Sequence, residues 1–472
     1  MNVHTWADRP VRRSFPPSPR ALVDGLLHEI RRSSARFRLW MGFLLVLLVF
    51  FADCAVVALP PGWEVAGTTP TFEWGLFIVG YVFFAILTSG LCLSASLGTV
   101  FGIERFRPFE KRHLVLAILS LTAAFMIIAL DLHYPVRMVF GAVLVPSPTS
   151  PMWWMGVFYG GYLVFLLVEA FATWTHRRRL HQVTSLLTTT TAIAAPMTLG
   201  AVFGALAAKP FWYGVFTPVL MIASALLAGA ALLGLVFGLV TKLRLEGAER
   251  AVTLAMPAVR ILLGFSVVMV GVLLARHVVA GLISSTAGAP EAALALIAGP
   301  LAIPFWIRVA VGLGIPLAIV LTPAGRTTNG ILAASLLALP MVFLDRYLFV
   351  AGGQVAPITA VSGNVVETWA TYFPSIVEIG VVVGAAAFVA MGYTLAERYM
   401  DMREAPEGHP PIPLARVRAG FADRLGRLLT WTDRVAFARR RVPADPAGLI
   451  RTEELEEARR EAALQAGDGG AM

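Results

Sequence analysis

A chain of 472 residues that is 57% hydrophobic and only 14% charged, with a mean hydropathy of +0.75, falls well short of the roughly 25% charge content of a soluble domain. That excludes a soluble globular class and requires repeated crossing of a bilayer, which only helices or closed barrels achieve; the long unbroken apolar runs are of the helical kind. The formal net charge of +9 sits mainly in the two ends and in short loops. Without an aromatic-interleaved basic patch it reads as membrane topology and contact with anionic membrane lipids, with no nucleic acid.

The N-terminal segment, 1–37, is basic, carrying Arg9, Arg12, Arg13, Arg20, Arg31, Arg32 and Arg36, and residues 21–30 have the composition of a short surface helix. Arg12-Arg13-Ser14-Phe15 is reminiscent of a twin-arginine signal, but the next apolar run begins only near Leu39 and is too long for a signal core. Apolar spans are then predicted at 39–59, 74–101, 114–132, 152–175, 183–207, 212–241, 257–283, 303–321, 331–350 and 374–395. Pro300 and Pro304 cut the apolar sequence before the eighth span, so 291–298 is expected as a separate interfacial piece. Gly200 with Gly204, and Gly234 with Gly238, are spaced to let helices approach closely in a bundle. The threonines at 188–191 have a plain reading, back-bonding to their own helix carbonyls.

Basic residues follow the even-numbered spans: Arg105, Arg107, Lys111 and Arg112; Arg177, Arg178 and Arg179; Lys242, Arg244 and Arg250; then Arg326. The alternate loops at 60–72 and 146–151 have almost none, so the basic loops and both termini are expected on the cytoplasmic side. The fold class expected is thus an all-α integral membrane protein, with about ten transmembrane helices in two packed bundles. The span region 38–396 is one transmembrane domain in the cytoplasmic (inner) membrane. The segment 397–472 is a basic amphipathic tail, with Arg416, Arg418, Arg424, Arg427, Arg434 and Arg439 among Leu, Phe and Trp, partly disordered at its Gly-rich end.

Cys54 and Cys92 lie in apolar runs, which leaves no iron–sulfur ligand set, and the eight histidines fall in tails, loops or helix ends. Neither pattern offers the facing axial histidines of a membrane haem, so no haem, iron–sulfur cluster or other metal is expected on this chain. The ionisable groups near the membrane edge are distributed unevenly. Leu130-Asp131-Leu132-His133-Tyr134-Pro135-Val136-Arg137 ends a span in a carboxylate, an imidazole and a guanidinium, and Asp53, Arg276, His277, Arg308, Asp345, Arg346 and Glu378 fall towards outward ends of other spans. Arginines at such positions run against the positive-inside bias and call for a carboxylate or an anionic partner. A quinone head fits such a place: its carbonyls need donors such as His133 or Tyr134, and its redox change needs a proton carrier such as Asp131. The rival is an interhelical salt-bridge network joining the outward ends. Glu169, towards the inner part of the fourth span, is a candidate proton-path carboxylate, with Ser120, Thr122, Ser94, Ser96 and the threonines of the fifth span as bridging groups.

Several stretches, FAILTSGLCLSASLGTVFGIERFRPFEKRH, LDLHYPVRM, PMWWMGVFYGGYLVFLLVE, PMTLGAVFGALAAKPFWYGVFTPVLMIASALLAG, FWIRVAVGLGIP, LDRYLFVAGGQ and YFPSIVEIGVVVG, together resemble the NrfD family of polysulfide-reductase-type membrane subunits. The ten-span layout is closer to the hydrogenase-linked, sulfite-reduction-linked and alternative-complex-III branches than to the eight-span branch. The resemblance implies a subunit that binds menaquinone or ubiquinone as substrate near the periplasmic face and exchanges electrons with a four-cluster ferredoxin-like iron–sulfur partner. That partner is itself attached to a catalytic subunit, a molybdoenzyme, a hydrogenase or a cytochrome. Asp131, Arg137, Arg346, Tyr347 and Gln354 match the family pattern, whereas His133 and His277 depart from it. The expected quinone and proton-exchange set is Asp131, His133, Tyr134, Arg137, Arg276, His277, Arg346 and Glu378, with a proton path through Glu169, Ser120 and Thr122. The competing classes are a secondary transporter with an outward polar site and a purely structural membrane anchor.

Overall fold

The computed structural model describes residues 34–59, 67–69, 72–103, 105–106, 110–132, 146–243, 248–355, 370, 372–400 and 402. All of them fall in the first of the two units of the chain, Met1–Arg418; the second, Ala419–Met472, lies outside the described residues. Also outside them are the surface helix expected at 21–30, His133, Tyr134 and Arg137.

The described residues form ten helical spans long and apolar enough to cross a membrane. They are α1 Ala35–Ala58, α2 Leu76–Thr99, α3 Glu110–Asp131, α4 Pro151–Trp174, α5 Arg178–Gly204, α6 Phe216–Lys242, α7 Ala248–Leu282, then a broken eighth span, α11 Thr328–Val355 and α12 Ile376–Tyr399. A short helix, α8 Ala289–Ile297, precedes the eighth span, which is where the prolines separate an interfacial piece. Helix starts follow local chemistry. The Ser34 hydroxyl accepts from Phe37 N at 3.3 Å to begin α1, and Pro151 opens α4, where its missing N–H has no helical partner to lose.

The eighth span changes pitch within itself: α9 Ala302–Ile307, a π-helix Arg308–Gly314, then α10 Ile315–Leu321. Pro316 lacks the N–H that an α-helical turn would send back to Gly312, so the wider π turn loses less there. Gly312 faces α11 so closely that an added Cβ would lie 2.5 Å from the Met341 Cβ. Widening the turn therefore brings Arg308, at its start, against the ninth span.

Two four-helix groups pack side by side, α2 to α5 and α6 to α11, with α1 and α12 paired on the flank of α3. The innermost helices are α2 and α6. They cross at Gly90 and Gly229, where each glycine faces the other's backbone: a Cβ on Gly90 would lie 2.7 Å from Gly229 N and overlap the Ala225 carbonyl. Lipid tails are as apolar as the side chains, so this association depends on close backbone packing, which only glycine permits here. The Gly200 and Gly204 pair meets Pro218 and Gly214, and Gly234 and Gly238 meet Ser335 and Leu332 of α11, so both spacings seen in the sequence mark helix contacts. Successive spans run antiparallel. One end of the bundle therefore collects the C-termini of α3 and α11 with the N-termini of α2, α6 and α12; the opposite end collects the N-termini of α3 and α5 with the C-terminus of α12.

Candidate functional site

At the Asp131 end, the segment before α2 is tied down by groups from three other elements. Gln354, near the C-terminus of α11, pairs with the Trp74 peptide in both directions: its Oε1 accepts from Trp74 N at 2.9 Å and its Nε2 donates to Trp74 O at 3.0 Å. Glu378 caps α12 in a capping box with Ser375 and is fully buried. Its Oε2 accepts from Gly67 N at 3.0 Å and Ser375 N at 2.9 Å; its Oε1 accepts from Leu76 N at 2.9 Å and from the Tyr372 hydroxyl at 2.7 Å. Four donors occupy this carboxylate, which holds the ends of α2 and α12 together. Burial and the adjacent Glu378 push the Tyr372 phenol well above its ordinary range, so it stays a protonated donor. Tyr372 stacks on Phe72 with centroids 4.6 Å apart.

An aromatic cluster continues from this segment. Trp74 stacks on Trp212 at 5.0 Å, and Phe203 meets both edge-on. The Trp212 indole donates to Phe349 O at 2.7 Å, fixing the loop before α6 on α11. Gly353 lies so close beneath the Trp212 ring that no side chain fits between them.

Deeper, on α11, Asp345 is ten residues before Val355, about 15 Å from that end of the helix by the α-helical rise. One of its oxygens meets Arg308 at 2.6 Å, the other Arg346. Arg346 is fully buried, donating also to the Ser224 hydroxyl at 2.9 Å and to the Met221 sulfur at 2.8 Å, while its Nε has no partner among the described residues. Arg308 is 2% exposed. The cluster thus carries two guanidiniums against one carboxylate, with a cavity of about 10 Å³ lined by Ser224, Arg308 and Asp345, room for about one water molecule. For these residues the interhelical salt bridge is the arrangement found. It lies deeper than the outward rim expected from the sequence.

The remaining expected site residues are spread around that end. Asp131 is the last residue of α3, half-buried and within electrostatic reach of Glu378. It accepts no hydrogen bond among the described residues. Arg276 is exposed, its guanidinium 3.5 Å above the Phe216 ring. His277 meets Phe211 edge-on at 4.5 Å, and its Nε2 is buried with no hydrogen-bond partner among the described residues. The structure therefore does not bring Arg346 and Glu378 into one open pocket with Asp131: both are sealed inside the protein.

At the opposite end, Glu169 is buried on α4 and accepts from the Ser185 hydroxyl at 2.5 Å and the Thr188 hydroxyl at 2.6 Å, both on α5. Of its expected companions, Thr122 donates to Ile118 O of its own helix at 2.8 Å, and neither Thr122 nor Ser120 lines the cavity beside Glu169. The neighbours that sequence reasoning missed are His181 and Glu110, whose side chains pair at 2.6 Å. Their signal was present in the run of basic residues that ends at His181, one turn before Ser185 on the same helix face.

The sequence profile of the NrfD polysulphide reductase family matches residues 64–358. Among curated relatives, the chain is 25% identical over 331 residues to the Hdr-like menaquinol oxidoreductase integral membrane subunit of Archaeoglobus fulgidus, covering 68% of this chain and 83% of the relative. It is 25% identical over 409 residues to a Halobacterium salinarum protein named as a dimethyl sulfoxide reductase membrane subunit, covering 78% and 92%. It is 28% identical over 230 residues to a selenate reductase subunit of Mesobacillus selenatarsenatis, covering 40% and 54%.

Proposed function

Because this chain belongs to the NrfD polysulphide reductase family, we propose that it is the quinone-interacting membrane subunit of a respiratory oxidoreductase complex, with its quinone site at the Asp131 end. The relative named as part of a menaquinol oxidoreductase supports the quinone, and those named as subunits of selenate and dimethyl sulfoxide reductases support a partner catalytic subunit. An iron–sulfur partner docked over the Asp131 end takes or supplies the electrons. The basic loops orient that end outward, with both termini cytoplasmic.

The observation that carries this reading is the state of Asp131. Of the three carboxylates Asp131, Asp345 and Glu378, the latter two have their oxygens engaged by internal cations and donors, whereas Asp131 accepts no hydrogen bond among the described residues. Oxidation of a quinol releases two electrons and two protons, and a carboxylate with open lone pairs at the bundle's rim accepts a proton from the quinol hydroxyl and passes it to the adjacent water. His277, whose Nε2 has no hydrogen-bond partner among the described residues, is a candidate donor to a quinone carbonyl, and His133, Tyr134 and Arg137 come within six residues after Asp131 in sequence. Arg346, sealed in the bundle, contributes through its charge and not by touching the quinone. Proton translocation through the bundle belongs to the same reading and rests on Glu169.

Asp131→Asn keeps the shape and removes the base. Quinol-linked turnover of the whole complex is expected to fall about 100-fold or more with assembly unchanged, in line with the loss of a general base. Unchanged turnover in a normally assembled complex would remove Asp131 from the site.

A further inference from the structure

The Glu110 end holds a second set of titratable groups that the quinone site does not use. Glu110 opens α3, His181 lies in the first turn of α5, and Glu169 lies five residues before the end of α4. His181 Nε2 is 2.6 Å from Glu110 Oε1 and 3.5 Å from the Ser185 hydroxyl oxygen, and that hydroxyl donates to Glu169 Oε1 at 2.5 Å. Thr188 donates to the other Glu169 oxygen at 2.6 Å. Beside them is a cavity of about 20 Å³, lined by Glu110, His113, Glu169, Thr188 and Cys92 and large enough for about one water.

We infer that Glu110, His181, Ser185 and Glu169 form a proton-loading site at the end of the bundle opposite the quinone. This rests on the quinone reading, since quinone chemistry supplies the driving force. With His181 protonated and both carboxylates ionised, the set carries one net negative charge inside a helical bundle, where an unbalanced charge is expensive. Taking up one proton makes it neutral. The transfer balances along the hydrogen bonds: the Nε2 proton of His181 leaves its contact with Glu110 Oε1 for the Ser185 oxygen 3.5 Å away, as the Ser185 hydroxyl proton moves onto Glu169 Oε1. Ser185 ends unchanged, and the ring is recharged from water past Glu110. A protonated Glu169 becomes a donor towards the cavity, which Cys92 also lines. Tyr162, buried on α4 seven residues before Glu169, or about 10 Å up the helix, carries the next hydroxyl towards the Asp131 end.

The test uses the intact complex reconstituted in vesicles, reading quinol-driven electron flow and proton movement together. Glu169→Gln keeps the size and the contact with Ser185 and is expected to lower the protons moved per electron at least twofold; His181→Asn is expected to do the same. Thr241→Val on α6, whose hydroxyl donates to Phe237 O of its own helix at 2.8 Å, is expected to leave the ratio unchanged. A direct readout is the infrared carbonyl stretch of a protonated carboxyl, expected in the wild type and missing in E169Q, with dicyclohexylcarbodiimide modifying Glu169 alone among the buried carboxylates of this end. A complex that turns over quinol but moves no protons, or E169Q and H181N with the wild-type ratio, overturns the inference and leaves the quinone reading standing. Electron flow that ignores quinol would instead sink the quinone reading.

Discussion

Asp345→Ala is expected to prevent accumulation of folded protein. The substitution removes the one carboxylate between Arg308 and Arg346, and those guanidiniums are 2% and 0% exposed. Left without that counter-charge, they repel each other between the eighth span and α11. Deleting one partner of a buried ion network costs about 3–5 kcal/mol, a large share of the roughly 5–15 kcal/mol by which a folded protein is stable. Ser224→Ala, which removes only a hydroxyl from the same cluster, is expected to cost about 1 kcal/mol. Size-exclusion profiles after detergent extraction measure both: D345A should lose the monodisperse peak that S224A keeps. A D345A peak equal to wild type would mean that the two arginines have another counter-charge.

Gly90→Val comes second in expected effect. The new side chain would meet backbone on the partner helix, the Ala225 carbonyl and Gly229 N, and backbone cannot swing away as a flexible side chain does. The innermost helices α2 and α6 would have to part, and with them the two four-helix groups. Overpacking of a tight contact costs about 1–3 kcal/mol, and at this crossing the loss is spread along both helices. Gly42→Ala on α1, where nothing lies within 4 Å, is the matched control: glycine to alanine in an open helical position favours the helix by up to about 1 kcal/mol. Thermal unfolding in detergent should fall by several degrees or more for G90V and hold or rise for G42A. Equal midpoints would contradict the crossing.

The spans are legible in the sequence because hydropathy over about 20 residues is a strong, local signal, and the prolines before the eighth span mark α8 as a separate piece for the same local reason. The two glycine pairs are legible as helix contacts by spacing alone. The π-helix is not: Gly312, Gly314 and Pro316 are compatible with a kinked α-helix, and only the packing of Arg308 against Asp345 distinguishes the two. Glu378 reads as part of the quinone and proton-exchange set because it falls near the outward end of its span. Its four donors come from Gly67, Leu76, Tyr372 and Ser375, and two of those lie some 300 residues away in sequence. No local pattern reveals such partners. Glu169 stands out as an oddity in its span, but its neighbour His181, which pairs with Glu110, is hidden among the arginines of a topogenic loop.

The central claim, a quinone bound at the Asp131 end, is tested most directly by photolabelling the intact complex with an azido-quinone and mapping the adducts by mass spectrometry. The expected result is labelling of the peptide spanning 131–137 and of the start of α12, abolished by excess unlabelled quinone. Competed adducts on the Glu110 end, or labelling that excess quinone does not reduce, would contradict it.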